Sequence, residues 1–334
     1  TGFVPLVAKV GQGGGSRGQT PMESFSNALT DKAAAIGVDY RSLSFTAAMG
    51  GTAYSGLKKG TQTYTNMLLA LNKAKQLADA NGWQIIVDGC LVKHGEADSS
   101  SVTYLANLLE WQADVDADVK AITGQKAPVH FFLSQPSTFT TTTPRAVQAM
   151  LDAHNTSAVH HLVGADYPFG SEFASDLVHF KGAGYFYIGE QFYRAWMQVL
   201  WTAASESKIT QITQATRTGQ VVTLKYSVPV PPLVFDSTTI SERDVKGFTF
   251  SDSSGPIAIT SAAITNTGAG TGVGEIQLSL ASTPNGSSES VSYAYSPKVG
   301  ADMPCGNVRD SDPLVSKHDG RHLYNWAVHQ KFNL

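Results

Sequence analysis

An aspartate and a histidine stand three residues apart near the middle of the chain, Asp176-Leu177-Val178-His179. At that spacing the carboxylate can reach the imidazole across one turn, fix its tautomer and stabilise the imidazolium when the ring takes a proton from a nucleophile. The pair reads as half of a hydrolase triad. Two more groups follow strand-like runs: Gly50-Gly51, and His94-Gly95-Glu96-Ala97-Asp98. A glycine after a strand lets a backbone N–H point at a developing oxyanion without interference from Cβ. Singly, each has an ordinary use, since glycine pairs make turns and a Glu or Asp after a strand caps the next helix. Their chain order and a shared sheet edge give the functional reading its weight.

The elements that position them alternate between two periods. Residues 41–47, 84–92, 129–133 and 158–163 read as strands. Tyr64, Met67, Leu68, Leu71, Ala74 and Ala78 repeat at helical spacing, as do Tyr104, Leu105, Leu108, Trp111 and Val115, and these stripes read as core. Residues 22–36 are helix-like, and an aromatic helix follows His179. Strands alternating with helices predict right-handed crossovers and a mostly parallel sheet covered on both faces, with ligands beyond the carboxyl ends of the strands. All three chemical groups then fall on one edge. After about residue 205 the composition turns to Ser, Thr, Gly and Val, with alternating runs at 221–226 and 275–280 between turn clusters, which predicts an antiparallel β-sandwich. The expected organisation is an α/β domain over 1–205, a β-rich accessory domain over 206–304, and a docking segment over 305–334 carrying Trp326. No internal repeat is apparent.

The 334 residues are 42% hydrophobic and 15% charged, enough to bury at least one full core, and the length predicts two domains. A formal net charge of -3 and no Lys/Arg cluster argue against nucleic acid as a partner. No apolar stretch approaches the roughly 18 residues of a membrane span, and no signal peptide precedes the first element. The chain starts at Thr1 without a methionine, which suggests that something upstream has been removed. Cys90 and Cys305 read as two free thiols, and no zinc spacing occurs. Gly13 to Gly18 fit a dinucleotide-binding pattern formally, yet Asp39 precedes the next strand where a ribose-binding acid should end it. His160 and His161 alternate on a strand and cannot both ligate one metal from there. Tyr185, Phe186, Tyr187, Phe192, Tyr193, Trp196 and Trp201 could stack on sugar, but on an amphipathic helix they pack on the sheet.

The order Gly50-Gly51, then His94-Gly95-Glu96-Ala97-Asp98, then Asp176-Leu177-Val178-His179-Phe180 with Gly184-Tyr185 resembles the SGNH (GDSL-like) hydrolase superfamily over residues 1–205. Within it, the sequence looks most like the sialate O-acetylesterase-like carbohydrate esterases. Residues 228–236 and the motif at 306–312 resemble accessory regions of such proteins. The resemblance implies a three-layer αβα domain followed by a β-sandwich-like domain, and serine-type hydrolysis of acetyl esters on a glycan or polysaccharide, without metal or organic cofactor. It makes His179 general base and acid, Asp176 its orienting carboxylate, Gly50 or Gly51 an oxyanion donor and Glu96 a structural acid beside the site. Two positions depart from the pattern: His94 stands where many relatives carry glutamine, and Ala97 is near the place of the superfamily's asparagine.

The nucleophile is the larger departure, because no Gly-Asp-Ser or Gly-Gln-Ser turn occurs. In one reading residues 3–10 are the nucleophile strand, with Gly13 where the serine should be and Ser16 displaced. In another the strand precedes Thr1, supplied by an upstream segment or a separate N-terminal fragment. In a third the scaffold binds glycans without cleaving them, as a virion-surface or tail protein would. In the family's order the nucleophile strand lies between the strands carrying the glycine and Gly-Glu blocks, so its absence would leave unpaired edges in a buried parallel sheet. A homo-oligomer and an extracellular, cell-surface or virion setting are compatible with each.

Overall fold

The computed structural model describes residues 19–202 and 207–334. The readings on residues 3–10, Gly13 to Gly18 and Ser16 lie outside the described residues.

Helix α1 (Pro21–Ala35) starts at a capping box: the Thr20 side chain accepts the Met22 N–H and Glu23 accepts the Thr20 N–H at 2.8 Å. Thr61 caps α2 (Gln62–Ala80), and α3 (Tyr104–Thr123) stops at Gly124, whose φ of 76° suits a residue without Cβ. Helices α4 (Arg145–Thr156) and α5 (Gly182–Trp196) complete the set. Between them lies a parallel sheet in the order β1 (Gly89–Lys93), β2 (His130–Gln135), β3 (His160–Ala165). Period-two alternation sends Phe131 and Leu133 into one core with α2, α3 and α4, and Phe132 into another with α1 and α5. Helices thus cover both faces, as the alternating periods predict.

Residues 41–47 are not a strand. Leu43 and Phe45 are 49% and 37% exposed, and among the described residues β1 pairs with β2 alone. An alternating run becomes a strand only where a ladder partner satisfies its backbone. The run at 84–92 enters the sheet only at Gly89. Before that, the Gln125 side-chain amide takes a neighbouring strand's place, accepting the Val87 N–H at 2.8 Å and donating to its carbonyl at 2.9 Å.

The β-rich part is two packed antiparallel sheets. One orders β4 (Gln211–Thr218), β5 (Val221–Ser227), β10 (Val273–Leu280) and β9 (Ile259–Asn266); β6 is the short strand Val234–Phe235. The other orders β13 (Gln330–Asn333), β11 (Ser290–Tyr293), β7 (Phe248–Asp252) and β8 (Gly255–Ile257). Val222, Leu224, Ile276 and Leu278 face Phe248, Phe250, Val291 and Tyr293 in one core. The C-terminal segment supplies β12 (Val308–Arg309), paired with β6, and also β13, so it is part of both pairings. The residue pattern at 306–312 is a clamp: Arg309 binds Asp236 at 2.7 Å, and the Asn307 amide donates to the Asp236 carbonyl at 2.9 Å.

His329 joins the two parts. Its Nδ1–H donates to the Ala294 carbonyl, and its Nε2 accepts the Ser137 hydroxyl at 2.6 Å. Burial pushes its pKa down to about 4, with the Ala294 carbonyl opposing. The unfolded chain therefore takes up a proton near pH 6.5 that the folded state refuses until about pH 4, and stability falls as the pH drops through that window. Thermal unfolding midpoints of the parent and His329→Gln, compared across it, should show a shallower acid slope in the variant. Parallel slopes would contradict this assignment.

Candidate active site

The tips of the three parallel strands carry a line of polar side chains. Lys93 ends β1, Ser134 lies beside it on β2, and Asp166 follows β3. Lys93 Nζ is 3.0 Å from Asp166, Ser134 donates to Asp166 at 2.7 Å, and Glu96 pairs with the same ammonium. Burial raises the Asp166 carboxyl above its usual range, with Lys93 and Ser134 opposing. Burial also pushes Glu96 up, but Lys93 outweighs it and the net displacement is downward. Burial would drive the Lys93 ammonium down, yet the two carboxylates hold it protonated.

The loop after β1 is fixed by His94. Its Nε2–H donates to the Thr52 carbonyl at 3.0 Å, and its Nδ1 accepts the Tyr104 hydroxyl at 2.6 Å. Burial lowers its pKa, so the ring is the neutral Nε2–H tautomer. Asp98 accepts the Tyr54 N–H at 2.8 Å. These bonds fasten the turn containing Gly50 and Gly51 to the Glu96 loop, and Gly51 has a φ of 69°.

Past Asp166, the chain makes a 3-10 turn at Tyr167–Glu172 and then a tight hairpin closed by the Phe173–Phe180 bridge, whose rings stack at 4.3 Å. The Ala174 N–H donates to the His179 carbonyl at 2.7 Å, and Leu177 takes a left-handed φ of 57°. Asp176 Oδ1 accepts the Val178 and His179 N–H groups, both at 2.9 Å, while Oδ2 accepts His179 Nδ1–H at 2.7 Å. One carboxylate therefore shapes the turn and aims the ring. The imidazole bond first, then the two N–H groups, hold the Asp176 carboxyl well below the usual carboxylate range. Both side chains are about half exposed, at 58% for His179 and 51% for Asp176. With Nδ1–H committed, Nε2 is the open acceptor, and no hydroxyl among the described residues bonds to it.

Tyr185 packs on this hairpin, its ring 5.8 Å from Phe180, and burial raises its hydroxyl above the usual range with Lys93 opposing. From the β-rich part, Lys298 Nζ donates to the Leu177 carbonyl. The structure thus gathers Asp176 with His179, and ties the residues just after Gly50-Gly51, Thr52 and Tyr54, to His94 and Asp98. Glu96 is bound to Lys93 and makes no bond to His179. Lys93, Ser134, Asp166 and Lys298 were not singled out in the sequence, and Tyr185 was read only as one of the aromatics packing on the sheet. A lone lysine closing an apolar strand and an aspartate directly after another were the available signal. His161 bonds His130 at 2.8 Å while His160 donates to the Leu108 carbonyl, so the two rings do face opposite ways. Among the described residues no cluster of His, Cys, Asp or Glu is arranged to hold a metal ion, and both cysteines are free thiols.

No protein-family model matches the chain, and no curated protein matches it. Among solved structures it is similar to the crystal structure of a carbohydrate acetylesterase from Xanthomonas citri, with a TM-score of 0.56 and 14% sequence identity. The alignment covers 93% of this chain and 65% of that one, so the chain spans about 65% of that protein's length. The likeness is one of fold: an α/β unit of that kind together with a β-rich region.

Proposed function

We propose that the protein is a carbohydrate O-acetylesterase of the SGNH type. A serine hydroxyl attacks the acetyl carbonyl while His179 Nε2 takes its proton, and Asp176 steadies the imidazolium. The tetrahedral oxyanion is met by a backbone N–H of Gly50 or Gly51. His179 then returns the proton to the departing sugar hydroxyl, leaving an acetyl-enzyme, and the same cycle with water releases acetate. The Glu96–Lys93–Asp166 cluster keeps the rim in shape. The observation that carries this reading is the Asp176–His179 bond of 2.7 Å with Nε2 left open at the edge where the strands end. The fold shared with an acetylated-carbohydrate hydrolase supports the same chemistry.

The nucleophile, in this proposal, comes from a strand added along the outer edge of β1, between it and the Gly50-Gly51 turn. The absence of any hydroxyl on Nε2 among the described residues favours the second reading, a non-catalytic glycan binder. A fluorophosphonate label followed by peptide mapping separates them. Labelling of one serine, together with acetate release from acetylated polysaccharide, is the expected result. No label and no acetate from the complete protein would leave the binder.

A further inference from the structure

A groove of about 970 Å³ runs between α4 and the β13–β11–β7 sheet, outside the Asp176–His179 hairpin. One end is built by the loops that hold the candidate active site. Val102 lies on the segment after β1, which is joined to α4 by the Ala146 N–H donating to the Ser99 carbonyl at 3.1 Å. Tyr295 on the opposite wall donates to the Pro144 carbonyl at 2.9 Å. Three residues further on, Lys298 donates its N–H to the Phe139 carbonyl at 2.8 Å and its ammonium to Leu177, inside the hairpin of His179. From that end the groove follows α4 from Arg145 to Asn155, a helical rise of about 15 Å.

Its lining mixes surfaces in the way a sugar does. Val102, 76% exposed, and the Tyr295 ring offer apolar faces, and Arg145, Gln148, Asp152 and Lys331 offer donors and acceptors beside them. Gln148 and Asp152 are already bonded to each other at 2.9 Å, whereas the Arg145 and Lys331 cations make no ion pair with a described residue. The volume is at the upper end of small-molecule pockets, roughly 300 to 1,000 Å³, and the shape is long rather than closed. None of its lining residues belongs to the Asp176–His179 hairpin, so a single acetylated sugar at His179 would not account for it.

We propose that this groove seats the glycan chain that carries the ester, so that the protein deacetylates sugars within a polymer and reads several units to one side of the scissile bond. The inference rests on the esterase reading above. Its test compares acetylated xylan and acetylated pectin with the acetylated methyl glycosides of their sugars, in the parent, in Arg145→Ala and in Val102→Trp, which fills the groove. Both substituted side chains are exposed, so the fold is not at stake. The expected result is a kcat/KM at least tenfold higher on one of the polymers than on its glycoside, with that ratio falling toward one in both variants. Equal values for polymer and glycoside in the parent, or a polymer preference that survives both substitutions, overturn the groove and leave the esterase standing. If no substrate yields acetate, the esterase reading fails, and retardation of the parent in gels containing the same polymers decides the groove: retardation lost in both variants supports it, and none in the parent overturns it.

Discussion

In the proposed mechanism, His179→Ala should lower acetate release by on the order of 10⁴-fold or more, leaving only the acceleration that oxyanion donors and binding supply without a base. The effect is this large because, among the described residues of the site, no second base stands by. Asp176 is held ionised far below neutrality and is a weak proton acceptor, Glu96 is taken by Lys93, and the buried His94 ring has both nitrogens engaged. The ring is half exposed, so its removal leaves no buried cavity, and far-UV circular dichroism of the variant should match the parent. Full turnover by His179→Ala would end the proposed mechanism.

Asp176→Asn should cost less than loss of the base, up to about 10⁴-fold where the wrong tautomer dominates, and less in proportion as solvent replaces the exposed carboxylate. The substitution separates the two uses of this side chain. An asparagine carbonyl can still accept the Val178 and His179 N–H groups, so the hairpin persists. Its NH₂ now faces His179 Nδ1 and favours the tautomer protonated at Nε2, which cannot accept a hydroxyl proton. A loss in kcat with an unaltered KM marks tautomer control, whereas a loss in both would mark a collapsed turn.

This pair was legible because its geometry is local: three residues of separation and one turn suffice. The helices through residues 22–36, the stripe from Tyr64 to Ala78 and the stripe from Tyr104 to Val115 were legible for the same reason. Residues 41–47 misled because alternation records what fits a pleated surface and says nothing about whether a neighbouring backbone is there to receive it. The late start of β1 depends on Gln125, a side chain 38 positions from Val87, whose amide occupies a ladder position. The strand-tip cluster escaped for a related reason. Lys93, Ser134 and Asp166 are scattered over 73 residues, and only the parallel register brings them into line.

That cluster carries the second large effect. Lys93→Met keeps the length of the stem but removes the charge facing Asp166, whose side chain is 2% exposed and keeps only Ser134 as partner. Stranding one member of a buried pair costs about 3 to 5 kcal/mol, so urea unfolding near neutral pH should show a loss of that size. Glu96, 36% exposed, turns to water and adds little. Without the ammonium, burial raises the Asp166 pKa further above its unfolded value, so the folded variant binds a proton that the unfolded chain releases. Such a group stabilises the fold at low pH and loses that contribution as the pH rises through the folded pKa, and the deficit against the parent should therefore shrink on acidification. Asp166→Asn in the same chain should recover much of the loss at neutral pH, because an amide needs no counter-charge. A Lys93→Met protein as stable as the parent, or one with the same deficit at every pH, would mean that solvent reaches Asp166 and that the three strand tips are held by packing alone. The rim would then owe nothing to charge, and the hairpin of His179 would be positioned by Phe173, Phe180 and Tyr185.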